Sequence, residues 1–122
     1  PPEDDEDGGK NYSNKTKNLL GKTDRMYKGQ LYAREGMPKN ASTLRAAQKE
    51  ARGEQIDLAK QRGRTYDHGE KVKNAQNGLQ DHIKDINNRL SYPDLLSAER
   101  YALQKELSEA SKLLDYTKRF VP

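Results

Sequence analysis

Two long segments of this chain repeat their apolar residues every three or four positions, which is the period of one face of an α-helix. The first stripe occupies Val72, Ala75, Leu79, His82, Ile86 and Leu90, with Ile83 beside it. The second stripe occupies Leu96, Leu103, Leu107, Ala110, Leu114 and Val121. Ser91-Tyr92-Pro93 interrupts the period, and such a short connection places two helices side by side. The sequence therefore predicts an antiparallel helical hairpin over residues 65–121, with its second helix running from Pro93 or Ser97 to Lys118.

The rest of the chain contains weaker helical signals and no convincing strand. Because no segment alternates apolar and polar residues, the predicted fold class is all-α. Residues 1–9 are expected to be a flexible acidic linker, since five carboxylates repel one another and two glycines follow. Residues 10–122 are expected to form a single domain. Its basic half, residues 10–64, is predicted to be rich in loops, with short helical turns before residue 38.

A helix is also predicted over residues 42–61 of the basic half. Ser42 can cap this helix and Gly63 can end it. Gly53 weakens it by about 1 kcal/mol relative to alanine. Its apolar face is expected at Leu44, Ala47, Ala51 and Leu58.

The positive charge of the chain is concentrated in its first half. Residues 10–64 carry 14 Lys and Arg but five Asp and Glu, whereas residues 65–122 carry nine of each kind. A basic block of this sort attracts phosphate backbones or an acidic protein, although it can also be a solvated surface. Charge alone therefore leaves a nucleic acid, an acidic protein and a solvated surface open for this half.

Several classes of chemistry lack the residues that they need. Without cysteine there can be no disulfide, thiolate metal site or cysteine nucleophile. The HExxH motif, a glycine-rich phosphate loop and the GxSxG motif are also missing. Asp81, His82 and Asp85 share one helical turn, but His82 continues the apolar stripe, so we expect it to be packed and the two aspartates to face water. No apolar run approaches the roughly 18 residues of a membrane span, so we expect no membrane insertion.

His68 is the residue best placed for catalysis. It lies at the predicted start of the first hairpin helix, where the helix dipole disfavours a charged imidazolium and free N–H groups bind anions. A neutral histidine can act as a general base near pH 7. Such a base can take the proton from a ribose 2′-hydroxyl while nearby cations stabilise the charge on the phosphate. The expected substrate is therefore RNA, cut without a metal or cofactor.

An exposed histidine without a role is the alternative, and spacing alone favours it. Acid and base usually come from different groups, and the second group stays open among His82, Lys71, Glu70, Tyr66 and the basic half. The cations expected to bind the substrate are Lys60, Arg62, Arg64 and Lys73.

The residues around His68 resemble those of a known family. Tyr66-Asp67-His68, Val72, the run AQNGL at 75–79 and Ile83 resemble the polymorphic toxin type 28 ribonuclease domain. Residues 103–116 resemble the closing helix of that family. The resemblance covers about residues 64–121.

The resemblance implies a site made of an aromatic residue, one further residue, a histidine, two further residues and a glutamate. Tyr66 and His68 match this pattern, whereas Lys71 stands at the position of the glutamate and Glu70 precedes it. The family also uses an acid upstream of the histidine, for which Asp57 is the candidate.

The resemblance also implies a biological role. Members are C-terminal toxin domains of large secreted or cell-surface bacterial proteins, including contact-dependent growth inhibition effectors. They enter a neighbouring cell, cut RNA in its cytoplasm, often tRNA, and are blocked by an immunity protein, here expected to be acidic. A host activating factor is a further candidate partner. The alternative function is a non-enzymatic basic helical module that binds RNA or an acidic protein.

Overall fold

The computed structural model of the protein describes residues 11–31, 43–53 and 68–122. These residues form α1 (Asn14–Leu19), a π-helix (Thr23–Lys28), α2 (Gly29–Leu31), α3 (Thr43–Ala51), α4 (His68–Leu90) and α5 (Ser97–Lys118). No strand occurs in these three ranges, and the predicted all-α fold is confirmed. Nor does any helix in them have an apolar stretch long enough to cross a membrane.

The two long helices form the predicted hairpin. Contacts at its two ends show that α4 and α5 are antiparallel: Gln76, early in α4, donates to Thr117, late in α5, while Arg89, late in α4, lies 3.6 Å from Glu99, early in α5. Five positions of the α4 stripe are buried: Val72, Ala75, Leu79, His82 and Ile86. From the α5 stripe, Leu103, Ala110 and Leu114 are buried. The periodicity therefore identified the packed faces of both helices.

Leu96 departs from the prediction, because 45% of its surface is exposed. It is the residue that precedes the first turn of α5, and its backbone is extended, with φ −63° and ψ 149°. Its side chain therefore does not follow the helical face that begins after it. Instead, its N–H donates to Glu99 Oε1 at 3.2 Å, which satisfies one donor at the start of the helix.

The short helices predicted in the first part of the basic half are present and pack on the hairpin. Ser13 caps α1, since its side chain accepts a hydrogen bond from the N–H of Thr16 at 3.3 Å. The π-helix and α2 contribute Tyr27 and Leu31 to the core. Gly78 of α4 makes room for the first of these, because a Cβ there would lie 2.7 Å from the Tyr27 ring.

Helix α3 is shorter than predicted. It ends at Ala51, and Gly53 follows with a φ of +81°, a left-handed conformation that glycine adopts easily and that terminates helices. Ala51 is exposed instead of lying on the apolar face, which is formed by Thr43, Leu44, Ala46 and Ala47. The predicted positions Ser42, Leu58 and Gly63 lie outside the described residues, as does the linker 1–9.

The apolar core joins α3, the π-helix and α2 to both helices of the hairpin. Its buried members are Tyr27, Leu31, Leu44, Ala47, Val72, Ala75, Leu79, Ala110, Leu113 and Leu114. Ile83, Phe120 and Val121 pack against it. Because Leu44 and Ala47 belong to this core, α3 is held against α4, and the end of α3 lies beside the start of α4.

Candidate active site

The end of α3 and the start of α4 meet at a pair formed by Glu50 and His68. Nδ1 of His68 lies 2.5 Å from Glu50 Oε2. The backbone N–H of His68 donates to Glu50 Oε1 at 2.8 Å and that of Gly69 donates to the same oxygen at 3.1 Å. One carboxylate therefore binds both the imidazole and the first N–H groups of α4.

This arrangement follows from the chemistry of a helix start. The first N–H groups of a helix have no partner within the helix, and the positive end of the dipole attracts an anion. Glu50 supplies that anion from a neighbouring helix. When Nδ1 carries the proton and donates it to the carboxylate, Nε2 is the ring nitrogen that can accept a proton. Glu50 thus selects the tautomer and fixes the plane of the imidazole.

His68 is buried, whereas the alternative interpretation expected an exposed histidine at the helix start. Its side chain is 6% exposed and that of Glu50 is 24% exposed. Core packing of α3 against α4 explains this burial, because it places the last turn of α3 over the first turn of α4. Among the described residues, the upstream acid that contacts the histidine is Glu50, which the sequence analysis did not name. The predicted upstream acid, Asp57, lies outside the described residues and stays a prediction.

The other predicted site residues divide into three groups. Lys71 follows His68 by three positions, so it lies about 60° from it around α4, whereas Glu70 lies about 160° away and Lys73 about 140° away. Lys71 is half-buried, and Glu70 and Lys73 are exposed. A third group lies outside the described residues: Tyr66, Asp57, Lys60, Arg62 and Arg64.

His82 is packed, as its place in the apolar stripe predicts. It is 1% exposed, and its Nε2 lies 3.0 Å from Glu106 Oε2. It follows His68 by 14 positions, which is about 21 Å along the helix axis. His82 is therefore not the group that would act together with His68. Asp81 and Asp85, on either side of it, face water as predicted.

Glu106 is the centre of a buried polar cluster that fastens the start of the π-helix to the hairpin. Its Oε2 accepts hydrogen bonds from the N–H and the hydroxyl of Thr23 at 3.0 and 2.6 Å, and its Oε1 accepts one from the N–H of Gly21 at 2.7 Å. Burial alone raises the pKa of Glu106, but the hydrogen bonds from His82, Thr23 and Gly21 outweigh it and lower the pKa to about 2. The ionised carboxylate is thus part of the folded structure.

We expect the protein to lose stability in acid because of Glu106. Above its ordinary pKa of 4.5 the carboxylate is ionised whether the chain is folded or unfolded, so its stabilisation is fully present. As the pH falls from 4.5 towards 2, the unfolded chain takes up the proton first and the stabilisation is lost. The expected loss is about 3 kcal/mol. Chemical denaturation at a series of pH values measures it.

Glu106→Gln is the matched variant for this measurement. It should be less stable than the wild type at neutral pH and should lose less stability in acid. Parallel losses in both proteins would show that Glu106 is not the source of the acid sensitivity.

A second polar cluster fastens α1 to the hairpin through Glu99. Glu99 Oε2 accepts the hydroxyl proton of Thr16 at 2.6 Å, and Arg89 donates to Thr16 Oγ1 at 3.0 Å and to Ser13 Oγ at 2.8 Å. Burial raises the pKa of Glu99, but hydrogen bonds from Thr16, Leu96 and Ser13 and the charge of Arg89 lower it overall. This cluster lies at the far end of α4 from His68 and has a structural role.

No group of three His, Cys, Asp or Glu side chains suited to a metal ion occurs within residues 11–31, 43–53 and 68–122. The start of α4 instead holds one histidine that is oriented by a carboxylate, within a small helical domain.

The family described as bacterial toxin 28 matches residues 11–122 of the chain, and the protein therefore belongs to this family of bacterial toxin domains. This confirms the resemblance noted in the sequence and extends it through the basic half. No curated protein and no solved structure matches the chain significantly.

Proposed function

We propose that the domain is a metal-independent ribonuclease toxin in which His68 is the general base. The observation that carries this proposal is the contact between Glu50 and Nδ1 of His68 at 2.5 Å. It directs the proton-accepting role to Nε2 and holds the ring in one orientation. Membership of a bacterial toxin family supports a harmful activity, of which RNA cleavage is the form that we propose.

In the proposed reaction, Nε2 of His68 removes the proton from a ribose 2′-hydroxyl. The 2′-oxygen attacks the adjacent phosphorus and the bond from phosphorus to the 5′-oxygen breaks, which leaves a 2′,3′-cyclic phosphate. The departing 5′-oxygen takes a proton from Lys71 or from water. A carboxylate that orients a histidine through Nδ1 has the same relation to it as the aspartate in a serine protease triad.

Cations near the start of α4 would stabilise the charge that develops on the phosphate. Lys71 and Lys73 follow His68 on α4, and Lys49 and Arg52 flank Glu50 at the end of α3. Arg62, Arg64 and Lys60 would add to this set. The roles of Tyr66, Glu70 and Asp57 stay predictions that come from the resemblance to the family.

The biological setting is proposed from the family. The substrate would be RNA in the cytoplasm of a target bacterium, with tRNA as the expected class. The domain would be delivered as part of a larger secreted or cell-surface effector. An acidic immunity protein would protect the producing cell by covering the basic surface, and a host factor would be a candidate activator.

The test is to incubate total bacterial RNA with the purified domain and a chelator of divalent cations. Cleavage is expected, with 2′,3′-cyclic phosphate ends. A single-stranded DNA of the same sequence as a cleaved RNA, and an RNA with a 2′-O-methyl group at the cut site, should remain intact because neither offers a 2′-hydroxyl proton. Cleavage of the DNA would refute the mechanism.

A helical module that binds RNA or an acidic protein without cutting is the alternative, and the charge excess of residues 10–64 supports it. It predicts binding that weakens steeply with salt and leaves the RNA intact. The chelator experiment separates the two functions, because the alternative yields no new RNA ends.

A further inference from the structure

The last turns of α5 present two aromatic rings between cations. Lys112, Tyr116, Arg119 and Phe120 follow one another at steps of four, three and one, so they lie on one side of the helix end. Tyr116 is 37% exposed. Its ring packs against that of Phe120 with centroids 5.3 Å apart and an interplanar angle of 72°. The guanidinium of Arg119 lies 5.9 Å from the Tyr116 centroid.

This aromatic strip lies at the same end of the hairpin as His68. Gln76 of α4 donates to the carbonyl of Val121 at 2.7 Å and to Thr117 Oγ1 at 3.1 Å, and it follows His68 by two helical turns, about 12 Å. Phe120 packs against the core cluster that contains Val72, which is one turn from His68. Along the hairpin axis, His68 and the strip are therefore separated by a distance that a short single-stranded segment can span.

The chemistry of the strip fits an unpaired nucleotide. An exposed aromatic face binds any base by stacking, and neighbouring cations bind the phosphates on either side. The carboxylate of Asp115 is turned by about 100° from Tyr116 around α5, and Glu109 lies about 10 Å before Tyr116 along the axis. Among the described residues, Lys112 and Arg119 therefore place positive charge beside the ring, and this charge favours a polyanion.

We propose that Tyr116, supported by Phe120 and Arg119, is a stacking site for an unpaired base next to the phosphate that is cut. The ring of Tyr116 stacks on the base, and Phe120 holds that ring in place from the core side. Arg119 binds a phosphate of the same strand. This inference rests on the proposed ribonuclease function. It specifies that the domain binds a single-stranded stretch of RNA and not a continuous duplex.

The experiment measures the binding of a labelled single-stranded RNA of about eight nucleotides, a length within the range of single-strand sites. All proteins carry His68→Ala so that the RNA stays intact, and fluorescence anisotropy gives Kd. Tyr116→Ala is expected to raise Kd by about 5-fold to about 150-fold, which corresponds to the usual range for one stacked base. Tyr116→Phe keeps the aromatic face and should bind like the parent.

Two further measurements separate stacking from charge. An oligomer of the same length without bases should bind the Tyr116→Ala and Tyr116→Phe proteins equally. Arg119→Ala should lower the dependence of log Kd on log salt by about 0.7, the value for one phosphate contact on a single strand, whereas Tyr116→Ala should leave that slope unchanged. Because Tyr116 is half-exposed, thermal melting should show that its variants are folded.

Equal Kd values for Tyr116→Ala and Tyr116→Phe on the RNA with bases would overturn the stacking site, as would equal weakening on the oligomer without bases. These results are independent of the cleavage assay. Wild-type protein that binds the RNA through Tyr116 but produces no ends would leave the stacking site standing and remove the ribonuclease function.

Discussion

Replacing His68 with alanine is expected to lower kcat/KM for RNA cleavage by about 10²- to 10⁴-fold, the usual contribution of a general base. The helix start should survive the change. Glu50 also binds the backbone N–H groups of residues 68 and 69, at 2.8 and 3.1 Å, and these bonds do not need the imidazole. Initial rates on a defined RNA, together with a thermal melt, measure the effect on chemistry and on folding.

His68→Asn is the matched variant. The amide nitrogen of asparagine can take the place of Nδ1 and donate to Glu50, but the side chain has no group that accepts a proton as Nε2 does. We expect it to be as inactive as His68→Ala while melting closer to the wild type. A folded His68→Asn protein that cuts RNA at the wild-type rate would show that His68 is not the base.

Glu50→Gln is expected to reduce kcat by about 10²- to 10⁴-fold with a smaller change in KM. The corresponding change of an aspartate to asparagine in a serine protease lowers kcat by about 10⁴-fold, because the histidine is held in the wrong tautomer. The neutral amide of glutamine has one acceptor oxygen in place of two and carries no charge for the helix start. We therefore also expect a loss of about 1 kcal/mol in the free energy of unfolding.

The separation of kcat from KM distinguishes orientation of His68 from support of the fold. A purely structural Glu50 would lower the melting temperature and leave the kcat of the folded fraction at the wild-type value. Glu50→Asp, which keeps the charge on a shorter side chain, should recover part of the lost rate. Asp94→Asn, an exposed change in the loop between the long helices, is the control for loss of one negative charge.

The hairpin could be predicted from the sequence because the apolar residues that pack its two helices recur with the helical period along each segment. A stripe such as Val72, Ala75 and Leu79 reports burial without reference to the rest of the chain. The end of α3 was wrongly placed, because an α-helical pattern runs through Gly53 and the positive φ there depends on the surrounding fold.

The contacts of the hydrogen-bonded carboxylates could not be predicted in the same way. Glutamate is almost always exposed unless it is paired, and the partners of Glu50, Glu99 and Glu106 lie 18, 83 and 83 residues away along the chain. Nothing in the spacing of the sequence marks such distant pairs. The position of His68 at a helix start could be predicted from the sequence, but its contact with Glu50 depends on the packing of α3 on α4.

The same separations indicate the order in which the protein assembles. The two long helices are neighbours in sequence, so they can associate after closing a short loop. The hydrogen bonds from Thr16 and Thr23 to α5, in contrast, close loops of more than 80 residues. We therefore expect the segment that contains Thr16 and Thr23 to dock last, onto a hairpin that has already formed. Under the proposed delivery into a target cell, where the domain would have to fold anew, this last docking step would complete the molecule.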